Sequence, residues 1–353
     1  MTFYHSKIQQ VEIEVSSYCN ARCPHCLRES RNGDHTFFMQ RNLSYDFFQN
    51  HFSKDIAKEL KNVFFVGVMG EPAMNKDLPN IIRWFREQNP KIIIDVCTNG
   101  GIQKSEWWTD LGNAIGQNGQ VIFAIDGLKD TNHIYRINVN WDKIIENVKS
   151  FISTGASAVW QFIPFKHNEH QINEAKEFSK ILGFKDFKIK ISHRNLTNQP
   201  KHESNIIENS EDPRYMHPSK GLDFNKMEDV SSYLDIVNIT CHAINYNSIY
   251  ISAEGLLYPC CHTAGLMQIA DNFLPENYNW VKVANEAVSK TEISLFKNTI
   301  ENIINSNTFN NIKNSWSLSM ITGKNPICSI ICGKYKNSVS ISQLLNSKID
   351  LNQ

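Results

Sequence analysis

The sequence predicts an α/β fold of parallel strands joined by crossover helices, followed by a smaller C-terminal α+β unit. Three observations predict it. From about residue 8 to 192, short apolar runs rich in β-branched and aromatic residues alternate with amphipathic stretches. Six such strand–helix units are present, too few to close an eight-stranded barrel. From about residue 236 the alternation stops, cysteines return and a hairpin pattern takes over.

The strands are expected at Val11–Val15, Val63–Val68, Ile92–Cys97, Val121–Ile125, Ala158–Ile163 and Phe187–Ile191. Between the first two, Ser44 is placed to cap one helix running through Leu60, with Phe48, Phe52, Ile56 and Leu60 on a single stripe. Leu78–Gln88 reads as a second helix, stopped by Pro90. Asn140 caps Trp141–Ser153, and Gly155 supplies a left-handed stop; Glu169–Leu182 ends at Gly183 in the same way. Alternation of this kind argues for parallel strands with right-handed crossovers, and puts functional loops at the C-terminal strand ends. Residues 193–235 change character: prolines appear, acidic residues outnumber basic ones and apolar periodicity fades, which reads as a bridge or flap with a short helix at Met227–Tyr233. Ser248–Ser252, Glu254-Gly255 and Leu256–Tyr258 read as a β-hairpin, and Glu301–Lys313 is ambiguous because its asparagines are poor helix formers. The expected division is 1–192, 193–235 and 236–353.

A chain of 353 residues with 41% hydrophobic and 20% charged residues is long enough for two units with a sizeable core. A formal net charge of zero removes the electrostatic case for a dedicated nucleic-acid or membrane-surface binder. No apolar run approaches bilayer length, and Met1 to Lys7 lack the apolar segment of a signal peptide, so a cytoplasmic protein is expected. In that compartment nine clustered cysteines point to metal binding more than to disulfides.

Cys19, Cys23 and Cys26 follow the first strand with gaps of three and two residues. That spacing lets one short loop wrap three thiolates around a [4Fe–4S] cube, leaving the fourth iron open. A structural zinc loop, with His25 as a ligand, is the alternative. The pattern resembles the CxxxCxxC signature of the radical SAM superfamily. The resemblance implies an open, partial (β/α)6 barrel whose cluster binds S-adenosylmethionine (SAM) at the open iron and cleaves it to a 5′-deoxyadenosyl radical. It also places His25 near the adenine.

The other strand ends extend the resemblance. Met69-Gly70-Glu71-Pro72 is similar to the family's GGEP motif, with Met69 at its first glycine. A glycine lets backbone approach a ligand closely, and Glu71 suits an ammonium group; a plain turn is the alternative. Thr98-Asn99-Gly100 matches the family's TNG, with Thr98 and Asn99 bonding ribose hydroxyls or ordering the loop. Asp126-Gly127 with His133, Tyr135 and Arg136 resembles the family's SxDG…H..YR segment, but the serine position is Ala124. Asp126 is a candidate site residue, and Arg136 a candidate partner for the SAM carboxylate in place of that serine. Gln161 puts a polar group in an apolar strand and is a candidate to face substrate. Cys97 reads as a small core residue and Asn168 as a helix cap.

Cys241, Gly255 and Cys260 fit the CX9–15GX4C opening of SPASM and twitch domains, which hold auxiliary [4Fe–4S] clusters. With five cysteines in this region, the resemblance favours the twitch type. It implies Cys241, Cys260, Cys328 and Cys332 as ligands, with a tetrahedral zinc site as the alternative. Cys261 is then spare: it exchanges with Cys260 as ligand, is inert, or donates a hydrogen atom to a substrate radical. The implied activity is hydrogen abstraction from a small molecule or peptide, with the auxiliary cluster taking the leftover electron in an oxidation. If only three of those cysteines bind, its open iron holds substrate instead. Flavodoxin or ferredoxin is the implied reductant. A redox-neutral epimerase or rearrangement enzyme, and a non-catalytic iron–sulfur or zinc protein, are the alternatives.

Overall fold

The computed structural model describes residues 3–190, 234–265, 288–335 and 339–340, save 25, 30–32, 34, 37 and 321. His25, the expected helix Met227–Tyr233 and nearly all of the expected bridge lie outside these residues.

The first unit runs β1 Gln10–Ile13, α1 Tyr45–His51, α2 Lys54–Glu59, β2 Asn62–Phe65, α3 Leu78–Gln88, β3 Ile93–Thr98, α4 Ser105–Ile115, β4 Gly119–Ala124, α5 Asn132–Tyr135, α6 Trp141–Ile152, β5 Ser157–Phe162, α7 Ile172–Leu182 and β6 Asp186–Ile189. After the undescribed stretch come β7 Asn238–Ile239, α8 His242–Tyr246, β8 Ser248–Ile251, β9 Leu257–Tyr258, α9 Ile300–Ile304, α10 Asn307–Asn314, α11 Pro326–Cys332, β10 Gly333–Tyr335 and β11 Val339–Ser340.

Eight strands form one sheet in the order β6-β5-β4-β3-β2-β1-β8-β9. Every pairing from β6 to β8 is parallel, with Val11 opposite both Val63 and Ile249. The expected open α/β sheet of six parallel strands is therefore present. The hairpin is present too, with Tyr250 opposite Tyr258. Its first strand, β8, docks on β1, so the C-terminal segment extends the main sheet. A second sheet, β11-β10-β7, stands beside α11.

The parallel strands alternate in burial as a one-sided sheet demands. Val11, Ile13, Val63, Phe65, Ile94, Val96, Val121, Phe123, Trp160 and Phe162 are buried on the helix side. Phe85 of α3 meets Phe65, Phe52 and Phe48 at 5.2 to 6.1 Å, and Phe123 meets Trp108 of α4 and Phe151 of α6 at 5.3 and 5.8 Å. Each fully buried ring stabilises by about 1.5–3 kcal/mol. The alternate positions Glu12, Asp95, Cys97, Gln120 and Gln161 are less buried and line the open side.

Several expectations shift. The helix expected from Ser44 to Leu60 breaks at Phe52, which is extended (φ −93°, ψ 128°), because Ser53 accepts a hydrogen bond from Ile56 N–H and caps a new helix. The apolar stripe survives the break, with Phe48, Phe52 and Leu60 buried. Val66–Val68 leaves the strand and enters a loop. Helix α4 was not expected. The ambiguous stretch resolves into α9 and α10, capped by Thr299 and Ser306 side chains. Gly155 and Gly183 take the expected left-handed conformation, with φ +79° and +90°. Asn168 precedes a 3-10 turn, Glu169–Gln171, without capping it; its side chain instead bonds Phe165 N–H, Asp126 O and Ile163 O.

Candidate active site

The cysteine loop leaves the C-terminal end of β1 and is pinned from both sides. Ser17 Oγ donates to Met39 O at 2.8 Å and accepts Arg41 N–H at 2.7 Å, and Arg22 N–H reaches Ile137 O at 3.0 Å. Within the loop, Cys26 N–H bonds Cys23 O at 2.9 Å and Ala21 N–H points at Cys19 Sγ, 3.4 Å away. The three thiols lie within electrostatic reach of one another. Burial pushes Cys19 well above the usual thiol range, reinforced by the Glu71 carboxylate. Burial lifts Cys23 to about 11, opposed by the Arg136 cation. Without a cation in the loop, Cys19 and Cys23 are therefore thiols.

The next loop is held from three directions. Glu14, 1% exposed just past β1, accepts the N–H groups of Val68, Met69 and Gly70 on one oxygen at 2.7, 2.5 and 3.0 Å. Its other oxygen accepts the Tyr250 hydroxyl of β8 at 3.0 Å. Buried Arg28 donates to Met69 O at 3.0 Å and to Ser17 O. Gly70 has no room for a side chain: a Cβ there would sit 1.9 Å from Ser16 O. The motif's backbone is therefore pressed onto the chain entering the cysteine loop.

Glu71 links this loop to the next. Its carboxylate accepts Thr98 Oγ1, Asn99 N–H at 2.8 Å and Ala73 N–H at 3.1 Å. Burial raises its pKa, and the Thr98 and Asn99 bonds oppose the rise. Both oxygens thus serve as a strut between motifs. Thr98 and Asn99 are 2% and 4% exposed and order their loop: Thr98 Oγ1 accepts Gly100 N–H, and Asn99 exchanges hydrogen bonds with Asn20 of the cysteine loop at 2.9 and 3.4 Å.

Asp126, fully buried, accepts Arg136 Nε at 2.7 Å and Ile163 N–H at 2.7 Å. Burial works against the Arg136 charge, and the Asp126 carboxylate together with the neighbouring Cys23, Tyr135 and Cys97 offsets it; the guanidinium is therefore a paired, fixed cation. Arg136 Nη1 then reaches Cys23 Sγ at 3.7 Å. A carboxylate–guanidinium–thiol chain runs from the end of β4 into the cysteine loop. Gln161 sits in register with Ala124 and Lys188 on the open side of the sheet. Cys97 is half-buried on that side, within electrostatic reach of Arg136, and is not the core residue the sequence reading expected.

The second cysteine group converges. Cys241, Cys260, Cys328 and Cys332 line one small cavity, walled by Phe3, His262, Ile312, Ile327, Ile331 and Trp316. Cys241 and Cys332 are hydrogen-bonded, and Thr263 Oγ1 lies 3.1 Å from Cys260 Sγ. Trp316 Nε1 is buried with no hydrogen-bond partner and faces the Cys328 thiol. Four thiols, an orphan donor and an apolar wall suit a sulfur-rich cluster, whose sulfurs accept such a donor. Cys261 is outside the cavity and is hydrogen-bonded to Glu12 on the open side of β1. Among the described residues, no three Cys, His, Asp or Glu side chains converge closely enough to hold a single metal ion.

Sequence reasoning missed Glu14, Arg28, Asn20 and Tyr250. Glu12 and Glu14, alternating with Val11, Ile13 and Val15 along one strand, were the one visible signal.

These loops meet at one end of an open parallel sheet. The family model described as Radical SAM superfamily matches residues 13–178. No curated protein matches the chain. Solved structures of similar fold include native anSMEcpe with bound AdoMet and Cp18Cys peptide, at 16% identity, TM-score 0.56, covering 96% of this chain and 94% of that one. They also include SuiB of Streptococcus suis bound to the precursor peptide SuiA, at 17% identity, TM-score 0.51, covering 78% of this chain. The chain spans 64% of that SuiB chain. At these identities the likeness is one of fold. No helix among the described residues is long and apolar enough to cross a membrane.

Proposed function

We propose that the chain is a radical SAM oxidoreductase of the twitch type, acting in the cytoplasm on a small molecule or peptide with electrons from a flavodoxin or ferredoxin. The observation that carries the reading is the pairing of two cysteine sites: Cys19, Cys23 and Cys26 beside the Glu14-clamped loop, and the four-cysteine cavity behind β8 and β9. Cys19, Cys23 and Cys26 would hold the SAM-binding [4Fe–4S] cluster, and Cys241, Cys260, Cys328 and Cys332 the auxiliary one. The first cluster, when bound and reduced, supplies the electron that cleaves SAM to a 5′-deoxyadenosyl radical for hydrogen abstraction.

The chain's own residues do the positioning. Gly70 brings backbone to the methionyl amine, while Glu71 fixes that loop against Thr98 and Asn99. Asp126 pairs with Arg136 and orients it beside Cys23, where a guanidinium also suits the SAM carboxylate. His25 is the candidate adenine neighbour, and Gln161 the candidate substrate contact on the open side of the sheet. Four thiols lining one cavity support a fully ligated auxiliary cluster that exchanges electrons and leaves substrate binding to the barrel mouth. Residues 1–192 form the radical SAM unit in this reading, 193–235 the bridge and 236–353 the auxiliary unit.

Anaerobic reconstitution tests it. The protein should hold about eight irons, release 5′-deoxyadenosine from SAM under reduction, and drop to about four irons in Cys241→Ser. A protein that binds only zinc and cleaves no SAM refutes it. A second reading has one observation behind it: Cys261 is turned out of the cavity toward Glu12. There its S–H is placed as a hydrogen-atom donor in a redox-neutral epimerisation, with the same reductant restoring the thiol. A Cys261→Ala variant that turns over normally removes this reading.

A further inference from the structure

The four-cysteine cavity holds an indole donor that faces a cysteine sulfur. Trp316 lies in a 3-10 turn, Ser315–Ser317, directly after α10. Its ring packs edge-on against Phe3 with centroids 6.0 Å apart, and Phe3 packs in turn against Phe309 at 5.2 Å. The ring is thus fixed by the first described residue of the chain and by a helix more than 300 residues later. Its Nε1 is buried and unpartnered, and it faces Cys328 across the cavity wall. An indole N–H only donates, and buried donors are rarely left orphaned. Two other polar side chains line the cavity, His262 and Thr263, and Thr263 already has the Cys260 sulfur as its partner. Ile312, Ile327 and Ile331 offer nothing to accept a hydrogen bond.

We propose that Trp316 donates its indole N–H to the Cys328 sulfur of the auxiliary cluster and thereby holds that cluster's reduction potential up. The proposal rests on the auxiliary-cluster reading above. Reduction adds an electron, and the added charge spreads over iron and sulfur. A fixed N–H dipole aimed at a ligand sulfur stabilises that more negative state, and hydrogen bonds to the sulfurs are among the determinants of iron–sulfur potentials. In an apolar wall the effect is not diluted by water. Trp316 is therefore a tuning residue: it sets how readily the auxiliary site takes an electron and has no part in SAM cleavage.

The test uses the full chain with Cys19, Cys23 and Cys26 replaced by Ala, so that one cluster remains. Iron and sulfide are counted first: about four of each supports the reading beneath the proposal, and none overturns both. Trp316→Phe then keeps the ring packed on Phe3 and removes only the N–H. The expected result is unchanged iron with a midpoint potential shifted to more negative values in an EPR-monitored redox titration. An unshifted potential with iron retained overturns the proposal. Should Trp316→Phe fail to fold, protein labelled with ¹⁵N at the indole is reduced and read by pulsed EPR. A ¹⁵N coupling to the reduced auxiliary cluster is expected, and its absence overturns the proposal.

Discussion

Glu14→Gln is the most searching perturbation of the Val68–Gly70 loop, because the change is one atom and the loop depends on that carboxylate. One Glu14 oxygen receives three backbone N–H groups from Val68, Met69 and Gly70, and the other receives the Tyr250 hydroxyl. Burial raises the carboxyl pKa, and these donors oppose the rise. Hydrogen bonds to a charged acceptor contribute roughly 1.5–3 kcal/mol each, against about 1 for neutral pairs. Glutamine keeps an acceptor oxygen and loses the charge, so the three loop bonds weaken by about 2–5 kcal/mol together. Part of that appears as lost stability, and part as a loop no longer held where the amine of SAM binds. We expect the Kd for SAM to rise at least about tenfold, corresponding to ~1.4 kcal/mol, with the first cluster's iron retained. Tyr250→Phe removes a single bond and should raise Kd about fivefold. Anaerobic calorimetry, alongside the change SAM makes in the EPR spectrum of the reduced cluster, measures both. If both variants bind SAM within about twofold of wild type with iron intact, Glu14 does not position the loop and the reasoning fails.

Three further outcomes follow from the same geometry. Asp126→Asn removes the carboxylate that pairs with Arg136 and orients it beside Cys23; the yield of 5′-deoxyadenosine per iron should fall about tenfold or more with iron content unchanged. Gly70→Ala puts a Cβ 1.9 Å from Ser16 O, so the variant should lose about 1–3 kcal/mol in denaturant unfolding and bind less iron; a stable, iron-replete protein would contradict the close approach. Asp95 has its pKa raised above 3.8 by burial, opposed by Gln120 and Asn62. A raised acid binds its proton more tightly when folded, so its contribution is intact below 3.8 and is lost as pH climbs through the raised value. Asp95→Asn should therefore gain stability relative to wild type between about pH 4 and pH 7 in urea titrations, and a constant difference would refute the sign.

What the sequence made legible follows from the range of each interaction. All six barrel strands, and the hairpin, announce themselves by local alternation or β-branched runs. The cysteine loop and the Gly70, Thr98 and Asp126 loops sit where parallel strands must deliver them. Helix α4 escaped notice because Gly112 interrupts its stripe of Trp108, Leu111 and Ile115. The structure explains that glycine: a Cβ there would meet Thr154 Oγ1 at 2.3 Å, so α4 and α6 close on each other only with hydrogen at this position. The break at Ser53 was a local contest between a cap and a continuous helix, and spacing alone does not decide it. Glu14 and its partners were invisible for a different reason. Its loop bonds span 54 to 56 residues and its tie to Tyr250 spans 236, and no periodicity encodes such pairings.

The tie to Tyr250 also changes how the two cysteine sites relate. Read along the chain, they belong to separate segments. In the sheet, β8 lies against β1 with Tyr250 opposite Glu12. Tyr250 reaches Glu14, which grips the SAM loop, while Cys261 just beyond β9 bonds Glu12 two residues earlier on the same strand. Cys260, the neighbour of Cys261, turns the opposite way into the four-cysteine cavity. A single strand thus meets the first site through Glu14 and the approach to the second through Glu12. Displacing β8 would loosen the SAM loop and the Cys260–Cys261 segment together, so the C-terminal segment is a structural part of the first site.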